Sequence, residues 1–372
     1  MLPACPRTSV PEGSPMKQSA IALLTVALGL PLLAACGGSD GDQGGDGAKS
    51  VTLVTHDSFQ VSKKVLREFT AKTGYKVRIL RGGDAGAAVN QAVLNKDNPQ
   101  GDVFFGVDNT FLSRPLDEGV FAPYEAKGLN KVPKKLQLDA GKHRVTPVDT
   151  GDICVNYDRK YFADRKLEPP RTLADLAHPD YKNLLVTENA GTSSPGLGFL
   201  LATVREYGAD GWQDYWKKLR KNGVEVVDGW EQAYTERFSG SGAGKGKGDR
   251  PLVVSYASSP PAEVVGKDPQ PKQAPTGVAE GTCFRQIEFA GLLEGASNVQ
   301  GGKALLDFLL SRSFQEDLPL SMFVNPASTE AELPELFTTY GVTIDDPATM
   351  EPARIGKNRD EWVKAWTSLM LK

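Results

Sequence analysis

Six clusters of polar and aromatic side chains in this 372-residue chain have the chemistry to hold a ligand: His56-Asp57-Ser58, Asp108-Asn109, Thr192-Ser193-Ser194, Trp230 with Tyr234, Tyr256, and Phe323. Ionised Asp57 and Asp108 call for a cationic partner. The rings of Trp230, Tyr234, Tyr256 and Phe323 offer π faces, each worth about 0.5–2 kcal/mol against a cation depending on how dry the site is. Thr192 to Ser194 precede a helical pattern, so their hydroxyls and the free N–H groups of a helix start suit an oxyanion such as a phosphate ester. The combination describes an organic cation bearing an aromatic ring, and one ligand could carry both charges. Plainer roles stay open for the same residues. Asp57 and Asp108 suit the caps of helices that follow their strands, Thr192 to Ser194 suit an N-cap, and Trp230 and Tyr256 suit a core. Recurrence of the clusters at the ends of predicted strands favours the binding reading.

Other chemistries are poorly provided for. The three histidines and four cysteines show no Cys-x-x-Cys or His-x-x-x-His spacing, so no metal or other cofactor is expected. No Gly-x-Ser-x-Gly elbow supports a serine hydrolase. The segment GSGAGKGKGD at 240–249 lacks the Walker spacing and follows a helix, which makes it a surface loop. A formal charge of −3 leaves no excess of positive charge for nucleic acid.

The elements that must position these clusters alternate. Val51 to Thr55 reads as a strand, followed by a helix opened by Ser62 and stopped by Gly74, with Val65, Leu66 and Phe69 on one face. A strand from Tyr75 to Leu80, a helix over Ala85 to Asn95 and a strand over Asp102 to Val107 continue the pattern, which means a parallel α/β sheet. In such sheets ligands sit at the carboxyl ends of strands, and this brings His56-Asp57-Ser58 and Asp108-Asn109 to one edge. The alternation repeats beyond residue 150: strands at 153–157, 183–187, 224–227 and 251–256, helices at 197–207, 211–221 and 231–238. A second α/β lobe is implied. A strand over 283–291 and a helix over 302–310 lead to a helical C-terminus, where Trp362 and Trp366 are expected to anchor the core.

The first fifty residues read as an address. One lysine and an uncharged apolar run from Ala20 to Ala35 make residues 1–35 an export signal, its true start placed at Met16. Leu33-Ala34-Ala35-Cys36 resembles the lipobox of bacterial lipoproteins, so Cys36 is the expected lipidation site. Residues 36–50 then form a Gly/Asp-rich tether that holds the protein at the outer face of the membrane or in the periplasm. Cys154 and Cys283 remain in a compartment that permits oxidation, for which a disulfide is the economical reading.

Seven segments taken in order resemble the thiamine-binding proteins that serve bacterial ABC importers: THDSF, GVDN, PVDTGDICVNYD, GTSSPGLG, DGWEQAY, VSYASSP and the stretch around Phe323. The likeness runs from about Val51 to Lys372. It implies an α/β, two-lobed fold like the type II periplasmic binding proteins, with the ligand cleft between lobes. Lobe 1 would take residues 51–150, lobe 2 residues 151–283, and residues 284–372 would return to lobe 1 and end in helices. The resemblance also implies a monomer that captures thiamine or thiamine phosphate, performs no chemistry, and delivers its cargo to an ABC permease. Carried over by position, Asp57 and Ser58 lie beside the ligand and Asp108 and Asn109 face its positive portion. Ser194 and its neighbours meet the hydroxyethyl or phosphate end, and Trp230 and Tyr256 stack on rings. His56 stands where the family often has Tyr, and Phe323 where it often has Trp. Cys154 and Cys283 would fall on adjacent strands crossing between the lobes. The alternatives are a binding protein for another organic cation such as a polyamine, and a thiaminase-like enzyme with Cys154 as nucleophile.

Overall fold

The computed structural model describes residues 49–242 and 248–372. The export signal, Cys36 and most of the tether lie outside the described residues, as do residues 243–247 of the Gly/Lys-rich loop. Lys49 and Ser50, expected in the tether, instead open the first strand and pair with Tyr75 and Lys76.

The chain begins with β1 (Lys49–Thr55), β2 (Tyr75–Arg81) and β3 (Val103–Asp108), a parallel block in which β1 lies between the other two. The Lys63–Thr73 helix joining β1 to β2 starts where Ser62 Oγ accepts from Val65 N and stops at Gly74, whose φ of 76° is the left-handed turn that glycine adopts without strain. Its buried residues are Val65 and Phe69. After the short β4 (Phe121–Ala122) comes the long β5 (Thr146–Asp158). Then β6 (Leu185–Glu188), β7 (Glu225–Val227) and β8 (Leu252–Tyr256) make a second parallel block with β6 in its middle. β9 (Thr276–Leu293) runs antiparallel to β5, and β10 (Asn325–Pro326) also pairs with β5. The sheet order is β2-β1-β3-β9-β5-β8-β6-β7.

Two parallel blocks therefore flank two long antiparallel strands that pass from one block to the other. β3 pairs with the C-terminal part of β9, through Glu288 to Leu292, and β8 pairs with the C-terminal part of β5, through Tyr157 to Ile153. Both crossing strands are longer than their patterns predict. Pro147 and Gly151 conceal the start of β5, and Gly277 and Gly281 conceal that of β9, because proline and glycine weaken any strand signal. The pairing breaks register between Ile153 and Val155, and there Cys154 is joined to Cys283 by a disulfide.

The predicted helices at 197–207 and 211–221 are two segments of a Ser194–Lys221 span, broken at Gly208 with φ 70° and ψ −177°. The predicted 231–238 helix is a π-helical turn over Gln232–Arg237. Trp366, on the C-terminal Pro352–Met370 helix, is wholly buried and meets Trp216 edge-on at 5.4 Å. Trp362 is only partly buried, with the Arg354 guanidinium 6.0 Å from its ring. Among the described residues no helix is long and apolar enough to cross a membrane.

Candidate ligand-binding cleft

The carboxyl ends of both blocks converge on a cavity of about 220 Å³. β1 delivers His56 and Ser58, the turn after β6 delivers Ser194, the turn after β7 delivers Trp230, and β8 ends in Tyr256; Phe323 closes the wall. A second cavity opens beside it and shares Ser58, Asp84, Trp230 and Glu231 with the first, adding Asp57, Thr192 and Asp228. Eight of the twelve residues expected to bind ligand thus line one or both spaces. Asp108, Asn109, Ser193 and Tyr234 line neither.

Three of the four have other work, and the buried Ser193 hydroxyl has no hydrogen-bond partner. Asn109 stitches β3 to β9, its Oδ1 accepting from Ile287 N at 2.8 Å and its Nδ2 donating to Arg285 O at 3.1 Å. It does not face the ligand space, because both ends of its amide are committed to backbone. Ser193 is fully buried at the start of the Ser194–Lys221 helix. Tyr234 is buried behind Trp230, stacked on it at 5.0 Å with 16° between the planes, and donates its hydroxyl to Glu263. It backs the indole from the side away from the cavities, neither of which it lines. Asp108 is wholly buried, and its Oδ1 accepts from Thr110 N, Thr110 Oγ1 and Phe111 N, the turn-capping role.

Asp108 nonetheless belongs to the electrostatics of the cleft. In the β3-β9-β5 register it stands opposite Glu288, which stands opposite Asp149, so three carboxyl groups form a row across three strands. All three are buried. Burial pushes the Glu288 pKa up to about 8, and it drives Asp149 well above the usual carboxylate range with Glu288 adding to the rise. Asp149 and Glu288 are paired directly in the β5–β9 register, and two buried carboxyl groups so placed resist both being charged, so the pair retains a proton. Burial also raises Asp108, against the nearby Ser194 and the bonds donated by Thr110 and Phe111, which pull it down. Only Glu288 of the row reaches the cavity. His56 Nε2 lies 3.3 Å from Glu288 Oε1, and burial lowers the histidine pKa in spite of the acids around it. The His56 ring fits because Gly106, at φ 108°, carries no Cβ; one added there would collide with His56 Cδ2.

The aromatic walls are fixed by hydrogen bonds. Trp230 Nε1 donates to Ser255 Oγ at 2.9 Å, and the Tyr256 hydroxyl donates to Gln286 Oε1 at 2.9 Å. Phe323 has a φ of 55°, a strained conformation for a bulky residue, and its carbonyl accepts from Ser258 Oγ at 2.6 Å. Asp57 Oδ1 accepts from Gly83 N, and Thr192 Oγ1 donates to Asp228 O at 2.7 Å.

Sequence reasoning missed Asp84, Asp149, Glu231, Gln286 and Glu288. For Glu288 a signal existed: a lone acid inside the apolar run Ile287-Glu288-Phe289-Ala290. Asp84 looks like an ordinary N-cap, and it is one, its Oδ1 accepting from Ala85 N. Its Oδ2, however, accepts from Trp230 N at 2.8 Å, joining the helix after β2 to the turn after β7.

This topology, with a ligand-sized cleft where two parallel blocks face each other across paired crossing strands, is that of a type II periplasmic solute-binding protein. Residues 98–259 match the family of bacterial extracellular solute-binding proteins. The resemblance to thiamine-binding periplasmic proteins is borne out. The protein of that name from Brucella suis biovar 1 (strain 1330) is 29% identical over 85% of this chain and 91% of its own length. That of Escherichia coli K12 is 27% identical over 85% and 92%. A solved periplasmic thiamin binding protein superposes with a TM-score of 0.72 at 24% identity, over 86% of this chain and 96% of its own. The fold is shared more widely. A Campylobacter jejuni ferric binding protein has a TM-score of 0.67 at 16% identity, covering 86% and 99%.

Proposed function

We propose that this protein captures thiamine in the cleft between its two blocks and releases it unchanged to an ABC permease. Export by residues 1–35 and acylation of Cys36 would hold it, as a monomer, at the outer face of the membrane. The observation that carries the reading is the wall chemistry. Glu288 and the indole of Trp230, backed by Tyr234, line one small cavity with Tyr256 and Phe323. A thiazolium supplies the fixed charge such a carboxylate lacks, and an aminopyrimidine supplies a ring to stack. Binding of the cation releases the proton that Asp149 and Glu288 retain, because the ligand then balances the second negative charge. The lobes pivot about β5 and β9 in the same reading, with residues 51–150 and 284–372 on one side and 151–283 on the other. Ferric ion is a poorer fit: among the described residues no group of three or more His, Cys, Asp or Glu is arranged to hold a metal. A thiaminase-like activity would need Cys154 as a free thiolate, whereas it is bonded to Cys283.

Thermal unfolding of the protein with thiamine, spermidine and ferric citrate in parallel tests the proposal. Thiamine at about 100 times its Kd stabilises by about 2.7 kcal/mol, and the others leave the transition where it was. Stabilisation by spermidine alone points to a polyamine carrier. A pyrimidine adduct formed from thiamine and an added amine would establish an enzyme.

A further inference from the structure

Away from the cleft, the C-terminal Pro352–Met370 helix carries an arginine where an apolar residue would pack. Its buried positions are Ile355, Arg359 and Trp366, and Arg359 is only 6% exposed. An arginine is seldom buried to this degree unless its charge and its N–H groups are fully met. Those of Arg359 are not. Its Nε and Nη2 donate to Asp360 Oδ1, but Nη1 is buried with no hydrogen-bond partner. The Asp360 carboxylate is itself largely exposed, so water weakens the one ion pair that Arg359 makes. The guanidinium carbon lies 5.2 Å from the centre of the Phe111 ring, and the cation rests on that aromatic face.

Arg359 lines a third cavity, of about 280 Å³, which shares no residue with the two of the cleft. Arg114 enters its wall from the Ser113–Asp117 helix, and Lys364 from the C-terminal helix one turn beyond Asp360. Arg114 Nη1 donates to Asn90 Oδ1 at 2.9 Å, a neutral partner. Glu118 feels the Arg114 charge, but it is paired with Lys96 and lies outside the wall. Lys364 follows Asp360 at the spacing of a helix ion pair, yet that carboxylate bonds to Arg359, and Lys364 forms no ion pair among the described residues. Three cations and one carboxylate therefore line this space. The wall has an excess of two positive charges.

We infer that the cavity is a binding site for a small, doubly charged oxyanion, a phosphate monoester or a dicarboxylate, held by Arg359, Arg114 and Lys364. Guanidinium N–H groups match the paired oxygens of either group, and the Nη1 of Arg359 has its donors still to give. The anion balances the excess charge of the wall and completes the partners of a buried cation. Nothing in this site depends on the ligand of the cleft.

Calorimetric titration of the full chain with inorganic phosphate and with succinate, in the absence of thiamine, tests this. One anion per chain is expected to bind, and the tighter of the two identifies the group. Arg359→Gln abolishes that binding, and Lys364→Glu weakens it at least about tenfold by reversing a charge of the wall. Asp360→Asn, which removes the competing carboxylate, tightens it. Lys364 and Asp360 are exposed, so their variants carry the test even where Arg359→Gln fails to fold. Absence of binding by both anions in the millimolar range overturns the inference. So does an affinity unmoved by Lys364→Glu and Asp360→Asn, which would place the anion elsewhere on the molecule.

Discussion

At the scale of single residues the cleft is governed by carboxyl groups that have lost water. Glu288 and Asp149 bind protons more tightly in the folded protein than in the unfolded chain, so the folded state carries the extra proton between the ordinary carboxylate pKa of 4.5 and about 8. Their contribution to stability is fully present below the unfolded value and is lost as pH rises through the folded one. His56, its pKa lowered from 6.5, works against stability on the acid side, so the window from about 6.5 to about 8 isolates the carboxyls. Ligand-free protein is predicted to lose about 1.4 kcal/mol per pH unit for each such proton across that window. Chemical denaturation at several pH values measures the slope, and Glu288→Gln flattens it. A flat wild-type profile would mean that the row is not protonated as described. Glu288 escaped the sequence reading because a strand acid is ordinarily solvated; only the strand register shows that Asp108, Glu288 and Asp149 share a line. Asp108 was legible as both a cap and a charge; its hydrogen bonds to Thr110 and Phe111 make it a cap, and it lines neither cavity.

The elements divide by how much of their identity is local. Helix 63–73 was legible because its signals are near in sequence: Ser62, an apolar stripe and Gly74. β5 and β9 were only half legible, since their extra length comes from pairing with each other across more than a hundred residues, over segments carrying Pro147, Gly151, Gly277 and Gly281. Gly151 is required there, because a Cβ would stand 2.7 Å from Tyr256 Cδ1. A Gly151→Ala substitution should therefore tilt the Tyr256 ring and weaken ligand binding several-fold while the chain still folds, measured by titration and circular dichroism; unchanged affinity would show that the ring has room to move. The disulfide at the register break links residues 129 apart, and a cross-link of this kind typically stabilises by about 2–4 kcal/mol. A Cys154→Ser/Cys283→Ser double variant is expected to lose that much in denaturant unfolding, with ligand binding retained because neither sulfur lines the cavities.

Across the whole molecule, the sheet joins two three-stranded parallel blocks through two strands, and direct bonds reach over the cleft. Asp84 holds Trp230, and Ala87 N donates to Thr192 O at 3.1 Å. The order of elements and the convergence of strand ends were legible in the alternation, which is why eight of the twelve residues named in advance line the cavities. The packing of Tyr234 behind Trp230, and the contacts across the cleft, depend on how distant turns meet and have no local signature. These cross-cleft bonds imply that the present arrangement is the closed one. Ligand-free protein in solution is expected to sample a wider form, seen as a larger radius of gyration by X-ray scattering that shrinks with ligand; identical radii would mean a rigid cleft. The most direct test of the central claim is a crystal structure grown with thiamine. The account predicts an aromatic ring of the vitamin stacked on Trp230 and the thiazolium beside Glu288, and it is contradicted by a cleft left empty at saturating thiamine or by a ligand bound elsewhere.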